Sequence, residues 1–301
     1  MTTMLELMQQ TTAELGVSSP ASVAGNTTQD VIQLLALMNA VGYEMLSEFD
    51  WQKLTTIYNF STEYTTTTGT YPASGRVITG IPSTSGLDTT YMVLGVGIAN
   101  GAFIVSVDSA SQVTISLDIT IEATAGDIYF QKVKYALPND YASMTPRTQW
   151  DKSKHWEALG PTDGQQWEWL MSGFIATGPR IRWRLLDGLF QIWPGFSSAE
   201  QLGFEYRSNA WADSAAGAAK TSFTVDTDTC IYPDRLMVLG TKLKYFEAKG
   251  FDTTAMYRNW RSILESSKAQ DQSAANLSLA PRPASILIGW DNIPDSGYGN
   301  T

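Results

Sequence analysis

Apolar positions recur at helical spacing near the start of the chain and again past residue 230, and at strand spacing through most of what lies between. Leu5, Met8 and Leu15 share one side of a short helix that Gly16 ends before Ser18-Ser19-Pro20. A longer helix over residues 28–48 follows. Thr27-Thr28-Gln29-Asp30 offers its N-cap with an acidic residue three positions on, and Val31, Leu34, Leu35, Met38, Val41, Met45, Leu46 and Phe49 mark its apolar face. That stripe reads as core or subunit contact.

After Trp51 the period falls to two. Residues 51–60 place β-branched and aromatic side chains at strand spacing, and the polar run 61–70 breaks the pattern. From Gly75 to Phe130 short β segments alternate with Ser, Gly, Asp and Asn turns: 77–81, 91–94, 103–107, 112–117 and 127–130. Strands at this spacing predict a small sandwich or barrel, taken as a separate module over residues 64–130. An extended pattern resumes over 131–141 until Pro138 interrupts it. The strands before and after the module are expected to pair, which makes the module an insertion at a hairpin tip, where added chain costs little.

Residues 180–186 and 189–194 form a predicted hairpin around the tight-turn dipeptide Asp187-Gly188. Alternation puts Arg180, Arg182 and Arg184 on one side of it. Three guanidinium groups on one face need carboxylates or phosphates. The stripe therefore reads as a contact surface. Its partners are acidic side chains of a neighbouring strand, such as Glu205, or of a neighbouring subunit; an acidic partner ring or passing DNA is the alternative. Six of the ten tryptophans lie between Trp150 and Trp193, and they either anchor a core and an interface or line a sugar platform. Trp167 and Trp169, in a short helix over 165–172, must point to different sides.

A strand over 204–211 leads through a polar gap to Phe223-Thr224-Val225-Asp226-Thr227-Asp228 and then to a helix that begins near Pro233 and ends at Gly250. Carboxylates at alternate positions suit a calcium loop, but the further oxygen ligands and the turn glycine do not follow, so capping that helix is the expected role. Leu236, Leu239, Leu243 and Phe246 form its stripe, and a second helix over 252–269 is expected to pair with it in antiparallel fashion. Beyond residue 270 the composition cannot build a core. The apolar run Ile286, Leu287, Ile288, Trp290 either folds back or docks on another chain.

Bulk properties remove several function classes. The 301 residues are 43% apolar, enough to bury a full core, and the formal charge of −10 gives no overall positive field to hold nucleic-acid backbone or anionic lipid. A single cysteine, Cys230, excludes an intrachain disulfide and a thiolate cluster. The N-terminal residues lack the basic start and apolar run of a signal peptide, and no window suits a membrane span. His155 is the one histidine, and no nucleophile elbow, zinc-protease helix or phosphate loop is present. No enzyme and no cofactor or metal are expected.

The order of elements from Phe204 to Lys249 resembles the C-terminal half of head-to-tail adaptor proteins of short-tailed bacteriophages, in which a strand, an acidic turn and a Pro-led helix recur. The step Leu137-Pro138-Asn139-Asp140-Tyr141 resembles a turn of the same family. The segment running from Gly95-Val96-Gly97-Ile98 to Val105-Ser106-Val107 and its Ser/Gln turn is similar to small β modules of phage structural proteins. The resemblance covers residues 1–60 and 131–270; the inserted module departs from the simplest members. It implies an α+β fold: a helical bundle core with β-hairpins in residues 1–63 and 131–270, an inserted all-β domain in residues 64–130, and an extended C-terminal arm in residues 271–301. It also implies a virion protein made in the host cytoplasm, twelve copies forming a ring beneath the portal protein. The ring would stand above a tail nozzle or tail-tube protein and touch genomic DNA in passing without reading it. Ile286, Leu287, Ile288 and Trp290 would be the portal-docking arm. A carbohydrate- or receptor-binding tail protein, built on the tryptophan-rich region and the β module, is the alternative.

Overall fold

The computed structural model describes residues 2–172 and 181–271. Among the described residues strand content exceeds helix, 33% against 29%, and the strands are spread over several small antiparallel sheets. The expected helical-bundle core is thereby corrected. Its helices do not close on one another alone: much of what covers them comes from strand and turn segments, with Trp211, Phe223 and Tyr232 in the same core as the helical methionines and leucines.

The chain separates into two compact units. Of the described residues, a helical unit combines those up to Thr56, Asn139–Met144 and those from Glu205 to Asp271, and a β unit combines Ile57–Pro138 and Thr145–Phe204.

The helical unit holds α1 (Met4–Leu15), α2 (Gln29–Glu48), α4 (Asp234–Ala248) and α5 (Thr254–Asp271); α3 (Gly164–Met171) belongs to the β unit. Thr3 and Glu6 close a reciprocal capping box on α1, and Gly16 ends that helix at φ 71°, a conformation open to glycine. The buried row Val31, Leu34, Met38, Val41, Met45 of α2 meets Leu236, Leu239 and Leu243 of α4 and Leu264 of α5 in one core. Gly240 lets α4 approach closely: a β-carbon there would stand 2.6 Å from Cγ1 of Val41. Around the core, Glu14 on α1 pairs with Arg235 and Lys242 on α4, and Glu48 on α2 with Lys268 on α5.

The acidic turn does not cap α4. The N-cap of that helix is Pro233, without a side-chain hydrogen bond. Instead the turn's own carbonyls cap α1, since the amides of Met4 and Leu5 donate to Asp228 O at 2.7 Å and Asp226 O at 3.1 Å. The Asp226 carboxylate accepts from the amides of Val23 and Ala24 and from the Ser22 hydroxyl, holding the loop after α1. Asp228, only 1% exposed, accepts from the amides of Thr224 and Val225 and pairs with Lys220 at 2.7 Å. Local demand of the turn and of α1 outcompetes α4, whose first turn already carries Asp234.

In the β unit, the strands Tyr64–Tyr71, Ala123–Lys132 and Tyr91–Gly95 form one three-stranded sheet, and Gly75–Ile78, Gln112–Ile119 and Ile104–Ser109 form another. The two share a core that includes Tyr71, Ile78, Val93, Ile104, Val113, Ile115, Ile128 and Phe130. The polar run that seemed to interrupt the β pattern is itself a strand: threonine is β-branched, and an exposed edge needs no apolar alternation.

The strands flanking this sandwich do not pair with each other as expected. Thr55–Ser61 neighbours Gln201–Ser208, and Lys134–Ala136 extends the hairpin of Arg182–Leu186 with Leu189–Trp193. Aromatic packing accounts for that choice. Phe60 lies 4.6 Å from Tyr135 and 5.9 Å from Phe190, Phe190 lies 5.2 Å from Phe204, and Trp183 stacks on Phe190 at 5.5 Å, so the segments close over one aromatic cluster. Both ends of the sandwich meet at Glu63, whose carboxylate accepts from Lys132 at 2.8 Å and from the Tyr91 hydroxyl at 2.9 Å.

Candidate assembly surfaces

α2 carries a second face. Opposite its buried row, Ile32, Ala36, Tyr43 and Ser47 are exposed at spacings of four, seven and four residues, with half-buried Ala40 between them, and none is charged. Ile32 is 46% and Tyr43 47% exposed. The acidic residues of the helix, Asp30, Glu44 and Glu48, stand to the side of this strip. Asn39 borders it and is fixed: its Oδ1 accepts from the Phe223 amide at 2.8 Å. A rigid, uncharged helix face on a chain of net charge −10 is suited to meeting another helix without desolvating charge.

At the α4–α5 turn a second apolar group is exposed. Phe251, 62% exposed, packs edge-on against Phe246 at 5.7 Å, and Tyr257 stands on the first turns of α5. The contact follows from the helix end itself, where the Phe251 amide returns to the Phe246 carbonyl beyond Gly250.

Two members of the arginine stripe lie among the described residues. Asp187 and Gly188 both adopt positive φ, 55° and 68°, so the hairpin turn is the tight type the dipeptide predicts. Arg182 and Arg184 stand half-buried on one face, with Ile181 and Trp183 buried on the other. Arg184 is engaged within its own unit. Its Nε donates to Gln191 Oε1 at 3.0 Å and its guanidinium lies 4.4 Å from the Trp167 ring centroid. Burial lowers its pKa, and Glu168 works in the opposite direction. Within its unit Arg184 thus meets an amide and an indole. Arg180 lies outside the described residues, as do Ile286, Leu287, Ile288 and Trp290.

The tryptophans divide by environment. Trp167, Trp183 and Trp193 are buried, Trp150 and Trp156 are half-buried, and Trp169 is 47% exposed on the other side of α3 from Trp167. Three of the six therefore serve the core of the β unit.

Among the described residues burial acts on several ionisable groups, including Cys230, Asp151 and Glu200. Cys230 is buried, and burial pushes its thiol up to about 12, which disfavours the thiolate at neutral pH. In the β unit, burial raises the Asp151 carboxyl and nearby Glu200 adds to the effect, while the amides of Lys154 and Ser153 oppose it. Glu200 is also buried, which works to raise its pKa, but hydrogen bonds from Ser198 and Lys154 prevail and hold it low. One carboxyl closes a turn and the other fastens Lys154 to it. Both are occupied by their own loops. No described helix is long and apolar enough to cross a membrane.

No protein-family model matches the chain, and no curated protein matches it.

Two features escaped reading by pattern. The uncharged outer strip of α2 is diluted by Ala36, Ala40 and Ser47, so hydropathy emphasises only the inner row. The open edge at Tyr64 hides in a threonine run whose visible signal is polarity.

Proposed function

We propose that this chain is a structural protein of a bacteriophage virion, a head-to-tail adaptor whose copies close into a ring beneath the portal protein. The outer face of α2 carries the reading. Its uncharged strip, rigidly backed by the core of the helical unit, suits a neighbouring copy packing side by side, and a repeated heterologous contact of that kind closes into a ring when the rotation permits. The order of strand, acidic turn and Pro-led helix supports the same assignment. Twelve copies, a tail nozzle or tail-tube protein below, and transient contact with the genome as it leaves complete the proposal. Ile286, Leu287, Ile288 and Trp290 act as an arm toward the portal. A sugar- or receptor-binding role draws less support, because Trp167, Trp183 and Trp193 are spent on packing.

Native mass spectrometry of the purified protein, alone and mixed with a candidate portal ring, tests the assignment. A closed, stoichiometric assembly that forms on the portal supports it. Persistent monomer, or a trimer indifferent to the portal, would sink it.

A further inference from the structure

The sandwich of residues 64–132 has two three-stranded sheets and hence four edge strands, and three of these are guarded. Tyr91–Gly95 is bridged through Met92 to Phe103, and the Val93 amide donates to the Ala102 carbonyl. Ile104–Ser109 is broken by two register shifts and carries exposed Asp108. Gly75–Ile78 is four residues long, and its Arg76 pairs with Asp118. Short length, bulges and charge are the devices by which natural sheets blunt their edges.

Tyr64–Tyr71 uses none of them along Tyr64–Gly69. The stretch has no charge and no proline, its register shift falls only beyond Gly69, and the bridge of Thr70 to Thr79 closes just its far end. Among the described residues its strand partner in the sheet is Ala123–Lys132. The other side of the backbone is a ready template for strand addition.

We infer that this edge receives the tail run Ser285-Ile286-Leu287-Ile288-Gly289 of a neighbouring copy as an added strand. The run is uncharged and carries β-branched residues at alternate positions, matching an edge with no charge to desolvate. Cross-strand rows await it on both faces. Thr66, Tyr129 and Leu94 lie in register on the outer face, and Thr65, Phe130 and Val93 on the inner. An added strand sends Ile286 and Ile288 to one face and Leu287 to the other, so each row gains an aliphatic side chain. The residues between Asp271 and Ser285 reach about 45 Å when extended, which gives the run a long tether. The inference rests on the proposed assembly for the closeness of neighbours, which raises the effective concentration of a contact that is weak alone.

Disulfide trapping between full-length copies tests this without a portal. One population carries Thr66→Cys, another Ile288→Cys, and the two are mixed at high concentration under mild oxidation; native Cys230 is buried and stays out of the reaction. Covalent dimer severalfold above a control mixture of Val105→Cys with Ile288→Cys is expected. A yield equal to that control would overturn the inference. So would a Thr66→Cys/Ile288→Cys double variant that closes within one chain at a rate independent of concentration, because the occupant would then be the chain's own tail. Ring formation on the portal is read separately by mass, so failure of the trapped contact and failure of the adaptor role are distinguishable.

Discussion

Gly42 of α2 sits directly against the indole of Trp211, so that a β-carbon at Gly42 would stand 2.4 Å from Cζ2 of the ring. Trp211 is fully buried and braced edge-on by Phe223 at 4.9 Å, which leaves it little room to retreat. Gly42→Ala removes a helix-interior glycine, worth about 0.5–1 kcal/mol in its favour. The overlap outweighs that gain. The expected net effect is a loss of about 1–3 kcal/mol, read as a lower urea midpoint; an unchanged or higher midpoint would contradict this packing.

Asp228 is the anchor of the turn that caps α1. Asp228→Ala leaves Lys220 and the amides of Thr224 and Val225 without their acceptor inside a buried turn, and a loss of about 3–5 kcal/mol is expected. Because that carboxylate is already saturated by protein donors, added calcium should leave the thermal midpoint of the native protein unchanged. A calcium-dependent rise in the melting scan would assign the turn a metal after all.

Acid should weaken the clasp between α1 and α4. The hydrogen bond from Lys242, helped by Arg235, holds the Glu14 carboxyl below its ordinary value of 4.5, although partial burial works against it. A carboxyl lowered in the folded state contributes stability above its unfolded pKa and loses it as pH falls through the folded one. Stability measured in urea from pH 7 down to pH 3 should therefore fall less steeply for Glu14→Gln than for the native chain. Parallel curves would show that the pair carries no linkage.

The outer face of α2 is tested by charge. Ala36 is exposed there, so Ala36→Glu should leave the melting temperature nearly unchanged and block ring formation on a portal in native mass spectra. Rings of normal mass from this variant would move the subunit contact elsewhere.

Local grammar was legible wherever one face of an element is buried. The inner row of α2, the Gly16 stop and the Asp187-Gly188 turn follow from periodicity and backbone preference alone. What stayed hidden depends on contacts distant in sequence. Phe60 chooses its neighbours through Tyr135, Phe190 and Phe204, and no pattern around residue 60 announces them. Asp226 and Asp228 look like caps for the helix that follows, yet they serve a helix more than two hundred residues earlier. Of the candidate surfaces, Arg182 and Arg184 could be placed on one face by alternation, but Trp167 as the companion of Arg184 could not.

The core of the helical unit joins Met4–Leu54 to Trp211–Leu264, with the β unit spelled out in between. On a ribosome, α1 and α2 therefore emerge long before the residues that cover them. The sandwich of residues 64–132 has all its strands once Lys132 is out, whereas the methionine and leucine row of α2 stays uncovered until α4 clears the exit tunnel. During that interval the nascent chain exposes its most apolar helix, so the yield of folded protein is expected to respond to synthesis rate and chaperone access as well as to the stability of the finished fold.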